Sequence, residues 1–248
     1  MALFRAWHFD VIATGAPLQC PMKLTRLALA GACALVIYLP GTAAPQNASQ
    51  GLPADAEKIG EDRYRLGKVT VDLKAKTVTC GGKVMMSKGV IEYFAVAPEG
   101  KVHESVLLLN ARPLHLQLGL ILLGLEPKGG LRYQGDTQSP QGSPVEVFTS
   151  WQRNGKPVRV RAEEMVWDVV KKAPMDRNAW VFSGSLVDKK GFVADRELSL
   201  IATYRDPAAI VNNALPTGSD DSIYKVNERI VPRWDTPVTV TFTPASKE

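Results

Sequence analysis

The stretch from His103 to Pro127 constrains the fold most, because it is the most apolar part of the chain outside the N-terminal region. Val106–Leu109 is a continuous apolar run, which is typical of a strand covered on both faces. Pro113 suits the first position of a helix, and Gly124 suits the position just after its end. The residues between them are apolar all round, so the sequence predicts a short helix that is buried on most sides.

The N-terminal region has the pattern of an export signal. Basic residues after Met22 precede an apolar run at Leu27–Leu39, and small residues up to Ala44 suit cleavage. We therefore expect a signal peptide at residues 22–44. The exported chain is expected to be periplasmic or extracellular, with no transmembrane anchor after the leader is removed.

The remaining boundaries follow from this leader. Residues 1–21 are expected to be an over-long gene start, and a longer leader that begins at Met1 is the alternative. A lipid-attachment pattern ends at Cys33, but the apolar run continues past it, which argues against lipidation. Residues 45–60 are rich in Ala, Pro, Gln and Ser and predict a flexible spacer, and residues 61–248 predict a single domain.

Charge and cysteine content exclude several classes of function. The net charge is +5, and +2 of it falls in residues 1–43, so the exported part is near +3 and is not expected to bind nucleic acid. Removal of the leader removes Cys20 and Cys33 and leaves Cys80 as the only cysteine. An internal disulfide and an iron–sulfur cluster are therefore excluded.

Alternating apolar residues and turn residues predict a chain of hairpins, and Asn154-Gly155 is the strongest hairpin signal. Strands are expected at residues 69–73, 77–80, 83–86, 90–97, 106–109, 145–151, 158–161, 180–182, 198–204 and 237–242, with a hairpin at 186–193. Turns are expected at 74–76 and at Gly81-Gly82, a loop at 127–144, and short helices at 162–172 and 208–215.

These elements predict the fold class. We expect one α+β domain with a mostly antiparallel, hairpin-rich sheet of about ten strands. The sheet is expected to be barrel- or sandwich-like and to pack around the buried apolar helix.

Six short motifs in a fixed order resemble those of the YdjY-like domain family, which comprises exported bacterial proteins often found in planctomycetes. The motifs are His103–Ser105, Leu122–Pro127, Trp180–Gly184, Asp206–Ala209, Pro216–Asp221 and Thr236–Thr239, and the likeness covers most of the exported chain. The resemblance implies a single exported domain and brings no established activity with it. A ferredoxin label attached to one member of the family implies cysteine ligands, so it is not carried over to a chain with one exported cysteine.

His103, Glu104 and Ser105 form the most suggestive polar cluster, because they precede a buried strand. Alternation along a strand would point His103 and Ser105 together and Glu104 away. A metal or polar ligand would explain the cluster, and a hydrogen-bonded structural corner is the alternative. No second histidine follows four residues on, so a zinc protease motif is absent.

An acidic group later in the chain could meet this cluster. Asp220 and Asp221, with Asp206 or Glu228, could coordinate a divalent cation through oxygen, although a solvated acidic turn is the alternative. A site of this kind would join the acidic loop to His103 and Glu104. No cofactor is identified beyond this possible cation.

Two further residues have ordinary structural interpretations. His115 lies on the apolar helix and is expected to be a satisfied core residue. Cys80 is expected to be a small buried hydrophobe, although a Cys–His pair could form if the fold brought the two types together. A nucleophile elbow, a P-loop and a dinucleotide-binding fingerprint are all absent from the sequence.

Three functions remain open. The preferred one is an exported, non-enzymatic binding or interaction domain with an envelope or extracellular protein or a small ligand as its partner. The first alternative is a metal-dependent hydrolase that uses His103, Glu104 and the acidic loop. The second alternative is an accessory to an exported redox system, which depends on the family label alone.

Overall fold

The computed structural model describes residues 55–246, and the predicted leader and most of the spacer lie outside them. The strands are β1 (Ala56–Lys58), β2 (Arg63–Leu66), β3 (Val69–Asp72), β4 (Thr77–Val84), β5 (Tyr93–Val96), β6 (Ser105–Leu109), β7 (Pro127–Gly129), β8 (Gln141–Arg153), β9 (Lys156–Arg161), β10 (Val166–Asp168), β11 (Ala173–Pro174), β12 (Trp180–Phe182), β13 (Val187–Asp188), β14 (Gly191–Phe192), β15 (Ser199–Ala202), β16 (Val211–Asn213), β17 (Tyr224–Val226) and β18 (Pro237–Pro244). The helices are α1 (Pro113–Leu122) and α2 (Val193–Glu197), and 3-10 turns lie at Val102–Glu104, Ala162–Met165 and Pro216–Ser219.

Eight of the strands form a closed barrel, as the predicted β-rich class allowed. Their order is β4, β18, β8, β12, β16, β15, β5 and β6, and the pairing of β6 with β4 closes the ring. Most neighbours are antiparallel, but β5–β6 and β15–β16 are parallel pairs. Strands β1–β3 extend the sheet beyond β4, and β9 continues from β8 through the turn at Asn154-Gly155, where both residues have positive φ as predicted.

Large apolar side chains fill the inside of the barrel. Trp180 and Phe94 are fully buried, with ring centroids 6.0 Å apart, and Phe182 and Phe242 are also fully buried. Each of these side chains stabilises the fold by roughly 1.5–3 kcal/mol through the apolar area that it removes from water. The same core continues outside the ring, since it also includes Leu116 and Leu120 of α1.

Helix α1 packs against the sheet on one side only. His115, Leu116, Gly119 and Leu120 are buried. A methyl group on Gly119 would lie 3.2 Å from side-chain atoms of Val71 and Val78, which shows how closely the helix approaches the sheet. A helix at this position was predicted, but burial on most sides is not confirmed.

The opposite side of α1 is open, since Ile121 is 42% exposed. In the part of the chain that the structure describes, no helix combines the length and the apolar character needed to span a bilayer.

The turn predicted at Gly81-Gly82 is wrong, because β4 runs straight through both glycines. The reason is close packing at the closure of the barrel. A Cβ atom on Gly82 would lie 2.3 Å from the carbonyl oxygen of Leu108 on β6, whereas one on Gly81 would have no neighbour within 4 Å. Gly82 thus serves a close approach between two strands and not a change of chain direction.

The helix predicted at residues 162–172 is also wrong. After a single 3-10 turn, the chain enters β10, where Val166 pairs with Val226 on β17. The carboxylate of Asp168 then accepts the backbone N–H groups of Val170 and Lys171 at 2.9 and 2.8 Å, which turns the chain after the strand. Apolar spacing that matched a helix here arises from a short strand followed by this turn.

The helix predicted at residues 208–215 is a strand, β16, in the barrel wall. Asp206 does accept the backbone N–H of Ala208, at 2.8 Å, as a helix cap would. The chain then extends because Asn212 and Asn213 are fully buried and use their amide groups to bond backbone and side-chain partners. Pairing with β12 and β15 provides the backbone N–H and carbonyl groups of β16 with the hydrogen bonds that a helix would have formed internally.

The loop predicted at residues 127–144 contains β7 and the start of β8, and its middle is held by buried charges. Asp136 is fully buried and accepts hydrogen bonds from Arg132 Nε at 2.9 Å and Nη2 at 3.0 Å. Arg205 is 1% exposed and donates to six backbone carbonyls, three of which belong to this loop. We call Arg132, Asp136 and Arg205 the loop clasp.

The loop clasp makes stability depend on pH. Hydrogen bonds from Arg132 and from the backbone hold the pKa of Asp136 well below its usual range. A lowered pKa in the folded state means that the unfolded chain binds the proton more readily, so the contribution of Asp136 is complete above the unfolded pKa of about 3.9 and is lost as pH falls. We expect the free energy of unfolding to drop between pH 5 and pH 2.

Urea unfolding of the protein and of Asp136→Asn across this pH range measures the effect. The variant is expected to be less stable at pH 6 and to lose less stability on acidification. Asp62→Asn changes an exposed carboxylate and provides the control. Parallel pH profiles for the protein and Asp136→Asn would contradict the assignment.

Candidate functional site

The predicted cluster at His103–Ser105 lies at the entrance to β6, in the 3-10 turn and the first residue of the strand. The His103 side chain is 78% exposed and its Nε2 atom is 3.6 Å from a carboxylate oxygen of Glu104. Ser105 is fully buried, and its hydroxyl donates to the carbonyl of Lys101 at 2.7 Å. Strand alternation does not apply in a 3-10 turn, so His103 and Ser105 do not share a face.

The acidic residues divide between a buried and an exposed position. Asp206 is buried, whereas Asp220 and Asp221 lie on an exposed loop. The carboxylate of Asp220 accepts the backbone N–H and the hydroxyl of Ser222 at 2.9 and 2.6 Å, which lowers the pKa of Asp220. Asp220 is therefore held in a local turn.

Glu92 connects parts of the two predicted groups. Burial raises the pKa of Glu92, and the negative charges of Glu104 and Asp221 raise it further, so all three carboxylates lie within electrostatic reach. Gln134 Nε2 donates to Glu92 Oε2 at 2.9 Å. Among residues 55–246, however, no group of three or more His, Cys, Asp and Glu side chains is placed to hold a metal ion. The divalent cation stays a prediction.

A buried polar chain, which the sequence did not predict, runs from this region into the barrel. Lys101 Nζ donates to the Tyr93 hydroxyl at 2.9 Å, and Tyr93 donates to Asp206 Oδ2 at 2.8 Å. Asn212 donates to the carbonyl of Asp206 at 2.9 Å and to the hydroxyl of Ser183 at 3.0 Å. Burial and the charge of Asp206 raise the pKa of Tyr93, so the phenol stays protonated and the chain holds the fold together.

The two remaining residues singled out in the sequence are enclosed. Cys80 is buried, and burial raises the pKa of its thiol to about 12, so the reactive thiolate is suppressed. His115 is buried on α1, with its Nε2 atom 3.0 Å from a carboxylate oxygen of Asp55. A Cβ on Gly67 would lie 2.6 Å from His115 Nδ1, which leaves no space for a ligand on that side.

A large concave surface lies elsewhere among the described residues, where α1 begins and α2 ends. It is a groove of about 760 Å³, within the size range of small-molecule sites. We call it the α1 groove, and it is lined by Lys68, Ala97, Pro98, Asn110, Ala111, Arg112, Pro113, Asp195 and Leu198.

One wall of the α1 groove has an unusual backbone. Leu198 ends α2 in the left-handed conformation, with φ 60° and ψ 23°. A residue with a Cβ atom loses roughly 1–2 kcal/mol of stability in this conformation. At the end of a helix the position is therefore commonly occupied by glycine. Both backbone polar groups of Leu198 are hydrogen-bonded. Its N–H donates to the carbonyl of Ala194 at 2.7 Å, and its carbonyl accepts the N–H of Ala97 at 2.8 Å. Strained residues held in this way cluster at ligand sites.

Charged groups at the start of α1 complete the α1 groove. The residue before the helix is Arg112, whose side chain cannot accept a hydrogen bond, so the first turn takes its cap from α2. Asp195 Oδ1 accepts the backbone N–H of Leu114 at 2.9 Å, and Asp195 Oδ2 accepts Arg112 Nε at 2.7 Å. Within the described residues, Lys68 makes no ion pair.

Sequence reasoning missed the α1 groove because its residues come from four separate segments. The one available clue was the start of α1 at Arg112-Pro113, where Ser, Thr, Asp or Asn would normally cap the helix. A missing local cap indicates that another element supplies one. It does not indicate which element.

Comparison with known proteins gives one match. The family model described as the YdjY domain matches residues 69–243, which is more than half of the chain and includes α1, α2 and the barrel strands β4 to β6. No curated protein and no solved structure matches the chain.

Proposed function

We propose that this chain, which belongs to the YdjY domain family, is an exported, non-enzymatic binding domain that takes its ligand in the α1 groove. The observation that carries the proposal is the construction of that groove. A surface of ligand-site size is walled by a leucine in a strained backbone and floored by Ala97, Ala111 and Pro113. Two basic residues of its lining, Lys68 and Arg112, are exposed at the rim.

The arrangement of residues in the α1 groove favours ligand binding over catalysis. Among the described residues, Asp195 is the one carboxylate of the groove lining. One of its oxygens caps α1 and the other accepts a hydrogen bond from Arg112. A general base needs an oxygen free to accept a proton from a substrate. Retention of a ligand needs only shape, apolar area and a few placed polar groups, and the α1 groove offers all three.

The location of the protein is the second part of the proposal. A basic start at Met22, an apolar run and small residues before Pro45 support export to the periplasm or beyond. An envelope protein or a small extracellular molecule is then the expected ligand. Sequencing of the exported chain should find a new N-terminus after Ala43 or Ala44, and a chain that retained Met22 would contradict export.

The binding role can be tested without knowledge of the ligand. Amide spectra of the isotope-labelled protein would be recorded against a mixed set of cationic, neutral and anionic fragments at millimolar concentration. Fragments of at least one class should shift the amides of Ala97, Ala111 and Leu198 more than those of β9. A complete set that left these three amides unmoved would overturn the proposal.

A further inference from the structure

We infer that the α1 groove binds an aliphatic carboxylate, with the carboxylate at the rim toward Lys68 and Arg112 and the alkyl chain on the apolar floor beside Leu198. This inference rests on the proposed function and names the class of ligand. The arguments are the charge balance of the groove, the state of the helix end that faces it, and the chemistry of its floor.

The charge balance favours an anion. Residues 55–246 contribute two cations, Lys68 and Arg112, and one anion, Asp195, to the groove lining. Asp195 is neutralised by Arg112 Nε at 2.7 Å and by a backbone N–H at 2.9 Å, so it offers little attraction to a cationic ligand. Lys68 is exposed and has no carboxylate partner within the described residues, which leaves a positive charge at the rim.

The anion must be held by side chains and not by the start of α1. Pro113 has no N–H, and the N–H of Leu114 is already bonded to Asp195. His115 donates its backbone N–H to the carbonyl of Arg112 at 3.0 Å. Binding should therefore weaken as salt concentration rises, because exposed charge pairs are screened by salt.

The floor of the groove favours an alkyl chain over an aromatic ring. The apolar residues of the groove lining are Ala97, Pro98, Ala111, Pro113 and Leu198, and among the residues that the structure describes no lining side chain is aromatic. Rings gain much of their binding energy from stacking on other rings, whereas an alkyl chain gains by removal of apolar area from water alone. Small and aliphatic side chains provide such an area without a stacking partner.

The test compares three probes of equal chain length on the full protein: octanoate, octan-1-ol and octylammonium. Amide shifts of Ala97, Ala111 and Leu198 report binding. Octanoate is expected to bind up to about fivefold more tightly than octanol, and octylammonium more weakly than either, because one exposed charge pair is worth up to about 1 kcal/mol. Equal binding of all three probes would overturn the inference and leave the proposed binding role intact.

Variants locate the site. Lys68→Gln should weaken the binding of octanoate by about fivefold and leave the binding of octanol unchanged, because the substitution removes only one charge at the rim. Lys74→Gln, on the exposed turn between β3 and β4, is the matched control and should change neither probe. If Lys68→Gln and Lys74→Gln had the same effect on octanoate, the proposed placement of the carboxylate would be wrong.

Leu198→Gly distinguishes the contribution of Leu198 to ligand binding from its contribution to folding. Glycine accepts the left-handed conformation at no cost, so the variant should stay folded while it loses one wall of the groove. Both octanoate and octanol should then bind more weakly. A folded Leu198→Gly protein with unchanged affinity for both probes would exclude Leu198 from the site and overturn the inference.

Discussion

Arg205→Ala should lower the free energy of unfolding by about 4 kcal/mol, the largest effect that we expect from one side chain. The Arg205 guanidinium is buried and donates to the carbonyls of Asn213 at 3.1 Å and Leu215 at 2.6 Å. Its Nη1 group donates to the backbone carbonyls of Asp136, Thr137 and Gln138 at 3.0, 3.0 and 2.9 Å. Alanine would leave these buried carbonyls without donors.

Arg205→Lys distinguishes the loss of geometry from the loss of charge. Lysine keeps the positive charge but has three donors at one point, whereas arginine presents five in a planar fork. We expect lysine to recover less than half of the loss. Burial lowers the pKa of Arg205, and a buried lysine is easier to deprotonate, which adds to the deficit.

Denaturant unfolding of both Arg205 variants against the unmodified protein measures these differences. Protease cleavage within residues 131–138 gives a second readout, because this loop depends on Arg205 for its backbone bonding. An alanine variant within about 1 kcal/mol of the protein would show that water replaces the guanidinium, and our account of the loop clasp would be wrong.

Gly82→Ala should destabilise the protein by about 3 kcal/mol, while Gly81→Ala should be neutral or slightly stabilising. The two glycines are adjacent on β4, but only Gly82 faces the closing strand β6. Its added methyl group would lie 2.3 Å from the carbonyl oxygen of Leu108 and 2.7 Å from Leu109 Cδ2. The backbone of β6 cannot yield without opening its bonds to β4.

Gly81→Ala is the matched control because its new methyl group would meet nothing within 4 Å. It changes the same residue type in the same strand and reduces the freedom of the unfolded chain in the same way. Thermal and denaturant unfolding of the two variants gives the comparison directly. Equal losses would mean that β4 and β6 do not approach as closely as the structure has them.

Local chemistry predicted much of this fold. Alternation of apolar and polar residues predicted β3 and β18, the Asn154-Gly155 turn predicted the β8–β9 hairpin, and Pro113 marked the start of α1. In each case, the deciding residues lie within the element itself or its own turn. The β-rich class followed from the number of such elements.

The wrong elements are those whose identity depends on distant partners. Gly81-Gly82 has the composition of a turn, and only the position of Leu108 explains why it is a strand. Val166 could face a helix core or a strand neighbour, and its pairing with Val226 on β17 decides between them. No window of neighbouring residues contains that information.

The candidate site could not be predicted from the sequence either, because it also depends on residues that are distant in the chain. Arg112 and Leu198 lie together where α2 caps α1 through Asp195, and Lys68 joins them from the turn between β2 and β3. Conspicuous polar residues drew attention to His103 and Asp220 instead, and those side chains lie on exposed turns. A strained leucine has no signature in composition or spacing.

The position of β18 sets the order in which the chain can mature. This strand pairs with β4 on one side and β8 on the other, so the ring has a gap until residues 237–244 have been synthesised. Contacts between segments so far apart in sequence form slowly. Closure of the barrel is therefore expected to be a late step in folding, which follows the pairing of the strands that lie earlier in the chain.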